Sequence, residues 1–537
     1  MTPAPGTSPV GDAPASGRHR RRARLLLVIA AVVVVLVAGG VASGRILSWT
    51  GLRGEPPPAD PGSRPVAGQP RMAQPAAQAG VPATARGCRG TPVRPGAAVQ
   101  ALLDAAGPGA TLCFQPGIHR LAEPLRPLAR QRLVGAPGAV LSGARPVGGW
   151  TRAGGAWTAR GGLPREPDQA GECETGTACR YAETVFLDGR PLQRVTSRSD
   201  LAPGRFHQDY GADRITLADD PGGRRVEVAL ARAALAGSAT GVTVEGFVIE
   251  AFANPAQSGA VEPEGAGWTI RRNEVRFNHG VGIFTRDGGR VLANRIHRNG
   301  QLGVGGQGPG GLVQGNEIDH NNTAGFDSGW EAGASKWVET TGLVIRGNDV
   351  HDNRGAGLWT DINNVGTTIE GNVVHGNSDF GIHHEISYRA VIRGNEVTGN
   401  GWADRTVGYG GAGIRVAASP DVQVSGNVLS GNQNAIILLQ QDRTGDQARA
   451  GPHELADVLV AGNDVALSTG AVGLMQDIGD RSYFSRRNIR FERNTYRLAR
   501  LDGRWFAWEN RLVDRSGWMR HRHDTSGRYL PIRAPAP

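Results

Sequence analysis

Lysine is nearly missing from this chain. Lys336 is the only one, although Lys and Arg together number 59 and the formal net charge is +10. The basic character is therefore an arginine bias, accompanied by excess Ala, Gly and Pro, and it points only weakly to nucleic acid. No recognition helix, zinc-ligand spacing or stacking-aromatic module accompanies it, which leaves a nucleic-acid partner without a reader. Aromatic residues make up 6%. Cysteine is scarce too: Cys88, Cys113, Cys173 and Cys179 contain no C-x-x-C pair, so their even number favours disulfides in an oxidising compartment over a redox or metal motif. With four cysteines only three connectivities exist, and proximity in sequence favours Cys88 with Cys113 and Cys173 with Cys179.

One long apolar run is present, and it is N-terminal. The basic tail 1–24, ending in RHRRRAR, precedes uncharged, mostly apolar residues 25–44. As a helix this run spans roughly 30 Å, the thickness of a bilayer core. Positive charge stays inside, so the rest of the chain is expected outside as a single-pass, signal-anchored protein. The small residues GVASG leave a cleaved signal peptide, and hence secretion, as the alternative. Residues 45–87 are rich in Pro, Ala and Gly, lack a core-forming pattern and read as a linker.

Beyond the linker the sequence repeats itself. Asn273, Asn294, Asn316, Asn348, Asn372, Asn395, Asn427, Asn463 and Asn494 each have Ile, Val or Phe three residues before and an apolar residue two after. The first seven have a second Asn five residues on. A period of 21 to 24 residues with alternating β-branched side chains is one coil of a β-solenoid, and no helical repeat fits it. Coil 343–365 resolves into three short strands, LVIRGN, DVHDN and GLWTDI. Two Asn columns imply two corners, suited to Asn because it tolerates left-handed backbone and its amide can bond the copies above and below.

Longer spacings mark insertions at 328–341, 400–411 and 440–454, expected to loop out as walls of a trough. Alternation along GLWTDI and GIHHEI sends Leu358, Ile362, Ile382 and Ile386 inward and Trp359, Asp361, His383 and Glu385 outward, with His384 half-hidden above Thr360. Aligning glycines of neighbouring coils adds Asp327 below Trp359 and Arg415 above His383. Asp361 and Glu385 then face each other about 5 Å apart across adjacent coils. Two carboxyls that close cannot both ionise cheaply, as acid catalysis requires. Lys336 lies between Trp330 and Trp337 in the expected wall. The bland reading of the acids is a solvated ladder. Like charges placed opposite one another are destabilising and call for a reason.

The repeats, together with CFQPGIHRL at 113–121 and RLVGAPGAVLSG at 132–143, resemble the right-handed parallel β-helix family of carbohydrate-active enzymes over residues 88–510, with a tail at 511–537. VFLDGRPLQRV and the segment 203–228 resemble the small β-module, here about 145–235, that several β-helix glycosidases insert. The pair G-[LI]-W-x-D and an outward Glu one coil later resembles glycosidases of the β-xylosidase and α-fucosidase type. That resemblance implies a retaining hydrolase with Asp361 as nucleophile and Glu385 as acid/base. Asp327, Trp330, Lys336, Trp359, His383, His384 and Arg415 would bind a polysaccharide or oligosaccharide. No cofactor is required, although an acidic corner could hold calcium. Two other readings stay open: a lyase or epimerase on uronic-acid polymers, using an arginine with a histidine or Lys336, and a non-catalytic glycan-binding solenoid.

Overall fold

The computed structural model describes residues 87–532 except 444 and 446. The apolar run 25–44 lies outside the described residues, among which no helix is long and apolar enough to cross a membrane. Three sheets of 13, 12 and 13 strands, parallel except for the last pair of the 12-stranded one, form a β-helix. Coil 343–365 gives one strand to each, Val344–Arg346, Asp349–His351 and Ala356–Thr360, as its sequence leads one to expect. The next coil stacks on it in register, Val344 against Thr368, Asp349 against Val373 and Leu358 against Ile382. The inward positions Ile345, Val350, Leu358, Ile369, Val374 and Ile382 are fully buried in one continuous core. Each such side chain contributes about 1.5–3 kcal/mol of burial, which only stacked neighbours can supply.

Both Asn columns are continuous amide ladders. Asn348 Nδ2 donates to Asn372 Oδ1 at 2.9 Å, Asn372 Nδ2 to Asn395 Oδ1 at 2.9 Å, and the second column repeats this from Asn353 to Asn377 to Asn400. The residue in left-handed geometry is not the Asn but its predecessor: Arg272, Ala293, Gly371 and Gly394 on one column, Phe277, Arg298, Asp352 and Gly376 on the other. The Asn is retained for its amide, and glycine takes several of the strained positions because it pays no Cβ penalty.

Helix Val99–Ala106 turns Val99 and Leu103 onto the first coil and closes that end of the core. At the other end the segment from 511, expected as a tail, continues the solenoid. Arg528–Pro531 pairs in parallel with Thr495–Leu498, and helix Arg515–Arg520 buries Trp518 against Phe506. Trp508 is buried in this cap. The inserted module consists of a four-stranded and a five-stranded sheet between residues 144 and 229, with its own apolar core around Val185, Phe206 and Ile215. The disulfides are Cys88–Cys113 and Cys173–Cys179, the pairing expected from the sequence.

Candidate active site

The site stands on the 12-stranded sheet. Lys336 of strand Gly333–Thr341 pairs with Trp359, Trp359 with His383 of strand Phe380–Glu385, and His383 with Arg415 of strand Ala412–Ala417. Alternation turns this whole column outward. Asp361 follows the paired Thr360, and Glu385 follows its partner His384, so the two acids occupy corresponding positions on adjacent coils.

Their neighbours define the chemistry. Lys336 Nζ lies 3.1 Å from Asp361 Oδ2 and 4.0 Å from Glu331 Oε2, donates to the Trp330 carbonyl at 3.3 Å, and sits 4.0 Å from the centre of the Trp359 ring. Glu385 forms an ion pair with Arg443 and lies 3.4 Å from His383 Nε2. Arg415 Nε donates to His383 Nε2 at 3.0 Å, and its guanidinium lies 3.8 Å from the centre of the Phe380 ring. The Trp359 and His383 rings stack at 5.5 Å. Asp361 Oδ1, Trp359 Nε1 and His383 Nδ1 are buried and have no hydrogen-bond partner.

The open trough expected from the sequence is covered. Asp361 and Glu385 are each 6% exposed, and Lys336 7%. The segment 440–454 brings Arg443 over Glu385 and is pinned to the strand ends: Asn363 Nδ2 donates to the Gln447 carbonyl at 2.9 Å, and Tyr388 Oη to the Gly451 carbonyl at 2.7 Å. On the other side the loop 322–332 is tied to the module, where Cys173 bridges Phe326 and Asp327 N donates to the Glu172 carbonyl at 2.9 Å.

Several expected placements are corrected. Residues 333–341 are a sheet strand and not part of a wall, so Lys336, not Asp327, lies beneath Trp359. Two glycine-led segments, GFDSGW and GASKWVET, compete for that register, and the second wins with Gly333 against Ala356. Asp327 instead caps the short helix Ser328–Glu331, accepting from Gly329 N at 2.8 Å. Trp330 packs its ring with Phe326, Ala256 and Cys179 and offers the site only its carbonyl. His384 belongs to the inward set: it lies between Thr360 and Val416 with no exposure, and its Nδ1 is 2.8 Å from Thr360 Oγ1. It cannot reach a ligand on the outer face. Residues that the sequence reading passed over are Glu331, Phe380 and Arg443. The last lies in an insertion flagged by the repeat spacing, and the other two sit beside singled-out residues.

Burial raises Asp361, and Glu385 adds to this while Lys336 opposes it, leaving the carboxyl at about 6. Burial alone would lower Lys336. Asp361 and Glu331 more than offset that, so its ammonium is held above the ordinary lysine range. Burial, then Arg415 and Arg443, push His383 well below the usual imidazole range, and burial takes His384 to about 3, so both rings are neutral. The acid raised by proximity and burial is thus Asp361.

A cavity of about 510 Å³ lies elsewhere, between module residues Tyr181, Arg194 and Phe206 and solenoid residues Phe277, His279 and Arg298. Its half-buried Arg194 already donates to the Glu183 and Tyr181 carbonyls. The charged cluster, not this cavity, carries the unpartnered polar atoms that chemistry needs.

A family model described as right handed beta helix region matches residues 259–429. None of the curated proteins matches the chain. Among solved structures, the complex of XylC with xylose is similar at a TM-score of 0.61 and 15% identity, covering 81% of this chain and 83% of that one. The Azotobacter vinelandii mannuronan C-5 epimerase AlgE6 A-module gives 0.43 at 15% identity, covering 81% and 95%. A mannuronic acid specific polysaccharide family 6 lyase from human gut microbiota gives 0.45 at 11% identity, covering 82% and 91%. The sheets, the matched region and the XylC likeness agree on architecture: this chain is a right-handed parallel β-helix protein.

Proposed function

We propose that this chain is an extracytoplasmic retaining glycoside hydrolase, with Asp361 as nucleophile and Glu385 as general acid and base. The observation that carries the reading is the pairing of Asp361 and Glu385 at corresponding positions of adjacent coils. Strands about 4.8 Å apart set the two acids at a backbone spacing compatible with the about 5 Å that double displacement uses. Lys336 holds Asp361 Oδ2 and leaves Oδ1 unpartnered to attack the anomeric carbon. With its pKa at about 6, Asp361 is ionised at neutral pH.

In the first step Asp361 Oδ1 bonds to the anomeric carbon while the glycosidic C–O bond breaks and Glu385 gives its proton to the departing oxygen. Water then attacks the anomeric carbon, Glu385 takes its proton, and the Asp361 ester bond is released. Glu385 is ion-paired with Arg443 in the resting structure, so it has to leave that pair and take up a proton from water as a glycoside binds before it can donate. Trp359 offers an indole N–H and a stacking face, and His383 Nδ1 a ligand for a hydroxyl. The XylC complex supports a sugar as ligand for this architecture. A lyase or epimerase needs a free base. Lys336 is held as ammonium and His383 Nε2 already accepts from Arg415, so neither serves. The disulfides support an oxidising compartment, with residues 25–44 as the anchor.

A panel of activated 2-deoxy-2-fluoroglycosides tests the reading. One member should inactivate the protein and leave its sugar on the peptide containing Asp361, and the parent glycoside should give product of retained configuration by NMR. An inverted product, a label on another residue, or an ultraviolet-absorbing unsaturated product from a uronic polymer would overturn it. Glycan binding without turnover would favour the non-catalytic solenoid.

A further inference from the structure

A different face of the solenoid carries a second cluster of titratable groups. Strands Glu317–Asp319, Asp349–His351 and Val373–His375 stack in register, Asp319 under His351 and His351 under His375. Ile318, Val350 and Val374 point into the core, so the flanking residues all point outward. One column therefore reads Asp319, His351, His375, and Glu317 and Asp349 lie in the next. Taken singly these acids look like solvated ladder positions.

Three features separate the cluster from such a ladder. The His351 and His375 rings lie parallel, 4.8 Å apart with 2° between their planes. Asp349, His351 and His375 each present a ligand atom within 4.8 Å of the others, and Glu317, Asp319 and His351 do the same. Asp319 is only 1% exposed, and its Oδ2 is shielded from water yet accepts no hydrogen bond, while Asp349 Oδ1, equally shielded, is met only by the ion pair with His375, which raises that imidazole above its ordinary value. His375 Nε2 stands 3.4 Å from Asp349 Oδ1, and Arg295 Nε 3.7 Å from Asp319 Oδ2.

Because imidazole lone pairs lie in the ring plane, the two parallel rings have to turn toward each other to share one ion, but the outer contact of His351 already suits a ligand. His351 Nδ1 lies 2.9 Å from Asp352 Oδ2, which as a proton donor to that carboxylate leaves the Nε2 lone pair on the other side, 3.7 Å from Glu317 Oε1. A carboxylate behind a histidine is the outer contact that fixes the tautomer of a metal-binding imidazole. We infer that Asp349, His351 and His375 form a site for one divalent transition-metal ion of zinc-like preference, with Glu317 as a further carboxylate donor. Two imidazoles with carboxylates suit zinc, whereas calcium takes oxygen ligands. The ion would clip consecutive coils together, on a sheet separate from the carboxylate pair.

The full chain, untagged with histidine and stripped by chelator, is titrated with zinc chloride at neutral pH by calorimetry. One ion per chain with Kd of about 1 μM or tighter is expected. The double variant His351→Gln with His375→Gln should weaken binding at least about 100-fold, and Asp352→Asn by about 10-fold, through loss of the orienting carboxylate. Millimolar calcium should not compete. Should the double variant fail to fold, Asp352→Asn and the visible spectrum of the wild-type cobalt(II) form decide, with intense d–d bands expected for low coordination. No zinc binding below about 100 μM, or binding undiminished by the variants, overturns the inference.

Discussion

Lys336 Nζ and Asp361 Oδ2 stand 3.1 Å apart, and both side chains are buried. The chain's only lysine is thus spent on one carboxylate of the pair. An ammonium out of water cannot be left unpaired cheaply, and removing one partner of a buried ion pair typically costs about 3–5 kcal/mol. The same contact holds one Asp361 oxygen and leaves the other unengaged, which is how a nucleophile would be oriented.

Replacement of Asp361 should therefore harm both activity and stability. Asp361→Asn should lower kcat by several orders of magnitude, and Asp361→Ala should in addition cost about 3–5 kcal/mol, because Lys336 loses its closest anion. An exposed acid, as the sequence suggested, would have lost activity alone. Denaturant unfolding alongside kinetics checks this: Lys336→Met combined with Asp361→Ala should recover much of the stability and none of the activity.

Activity should fall as pH drops through about 6, where Asp361 takes up a proton. Its folded pKa lies above its ordinary carboxylate value, so the folded state binds the extra proton between about 4 and 6. Over that window this group makes the protein less stable as pH rises, and above it the effect is constant. Lys336→Met removes the group that opposes the rise, so the acidic limb of kcat/KM should move upward. Glu385→Gln removes a group that adds to it, so the limb should move downward. Limbs unmoved by either variant would show that another group titrates.

The solenoid was legible because its repeat is written twice over, in the Asn columns and in period-two apolar alternation. The relation of Asp361 to Glu385 was legible for the same reason, since a one-coil offset with alternation determines both register and direction. Periodicity alone sets Lys336 in a wall, because two glycine-led segments, one of them its own, fit the same register there and the repeat cannot choose between them. Arg443 was not legible at all. It reaches Glu385 from an insertion whose path is set by contacts such as Asn363 with Gln447, which no repeat encodes.

Glu385→Gln should affect substrates unequally. An aryl glycoside with a good leaving group needs little protonation and should keep much of its glycosylation rate, while an alkyl glycoside or disaccharide should lose most of it. Equal losses for all leaving groups would assign Glu385 to binding instead.

Trp359 and His384 should separate cleanly. Trp359 faces outward beside the acids but is 6% exposed, so Trp359→Phe, which keeps a ring and loses the indole N–H, should raise KM and also cost about 1–2 kcal/mol through lost volume. His384 faces the core and bonds to Thr360. His384→Ala should leave KM unchanged and cost about 2–4 kcal/mol through the cavity and the orphaned hydroxyl. A KM effect of His384→Ala without destabilisation would contradict its inward placement.

Asn372 tests the ladder. Its Oδ1 accepts from Asn348 N at 3.0 Å and Asn348 Nδ2 at 2.9 Å, while its Nδ2 donates to the Ile345 carbonyl at 3.1 Å and Asn395 Oδ1 at 2.9 Å. Asn372→Asp keeps the shape and both acceptor contacts. It loses the donor, deprives the Ile345 carbonyl of its side-chain hydrogen bond and sets a carboxylate oxygen against Asn395 Oδ1. Each buried group left unpaired costs about 1–3 kcal/mol, and the charge adds to that. Thermal unfolding should show Asn372→Asp to be at least as destabilising as Asn372→Ala at neutral pH. Its deficit should shrink in acid, because the protonated carboxyl regains an O–H donor for one of the two acceptors.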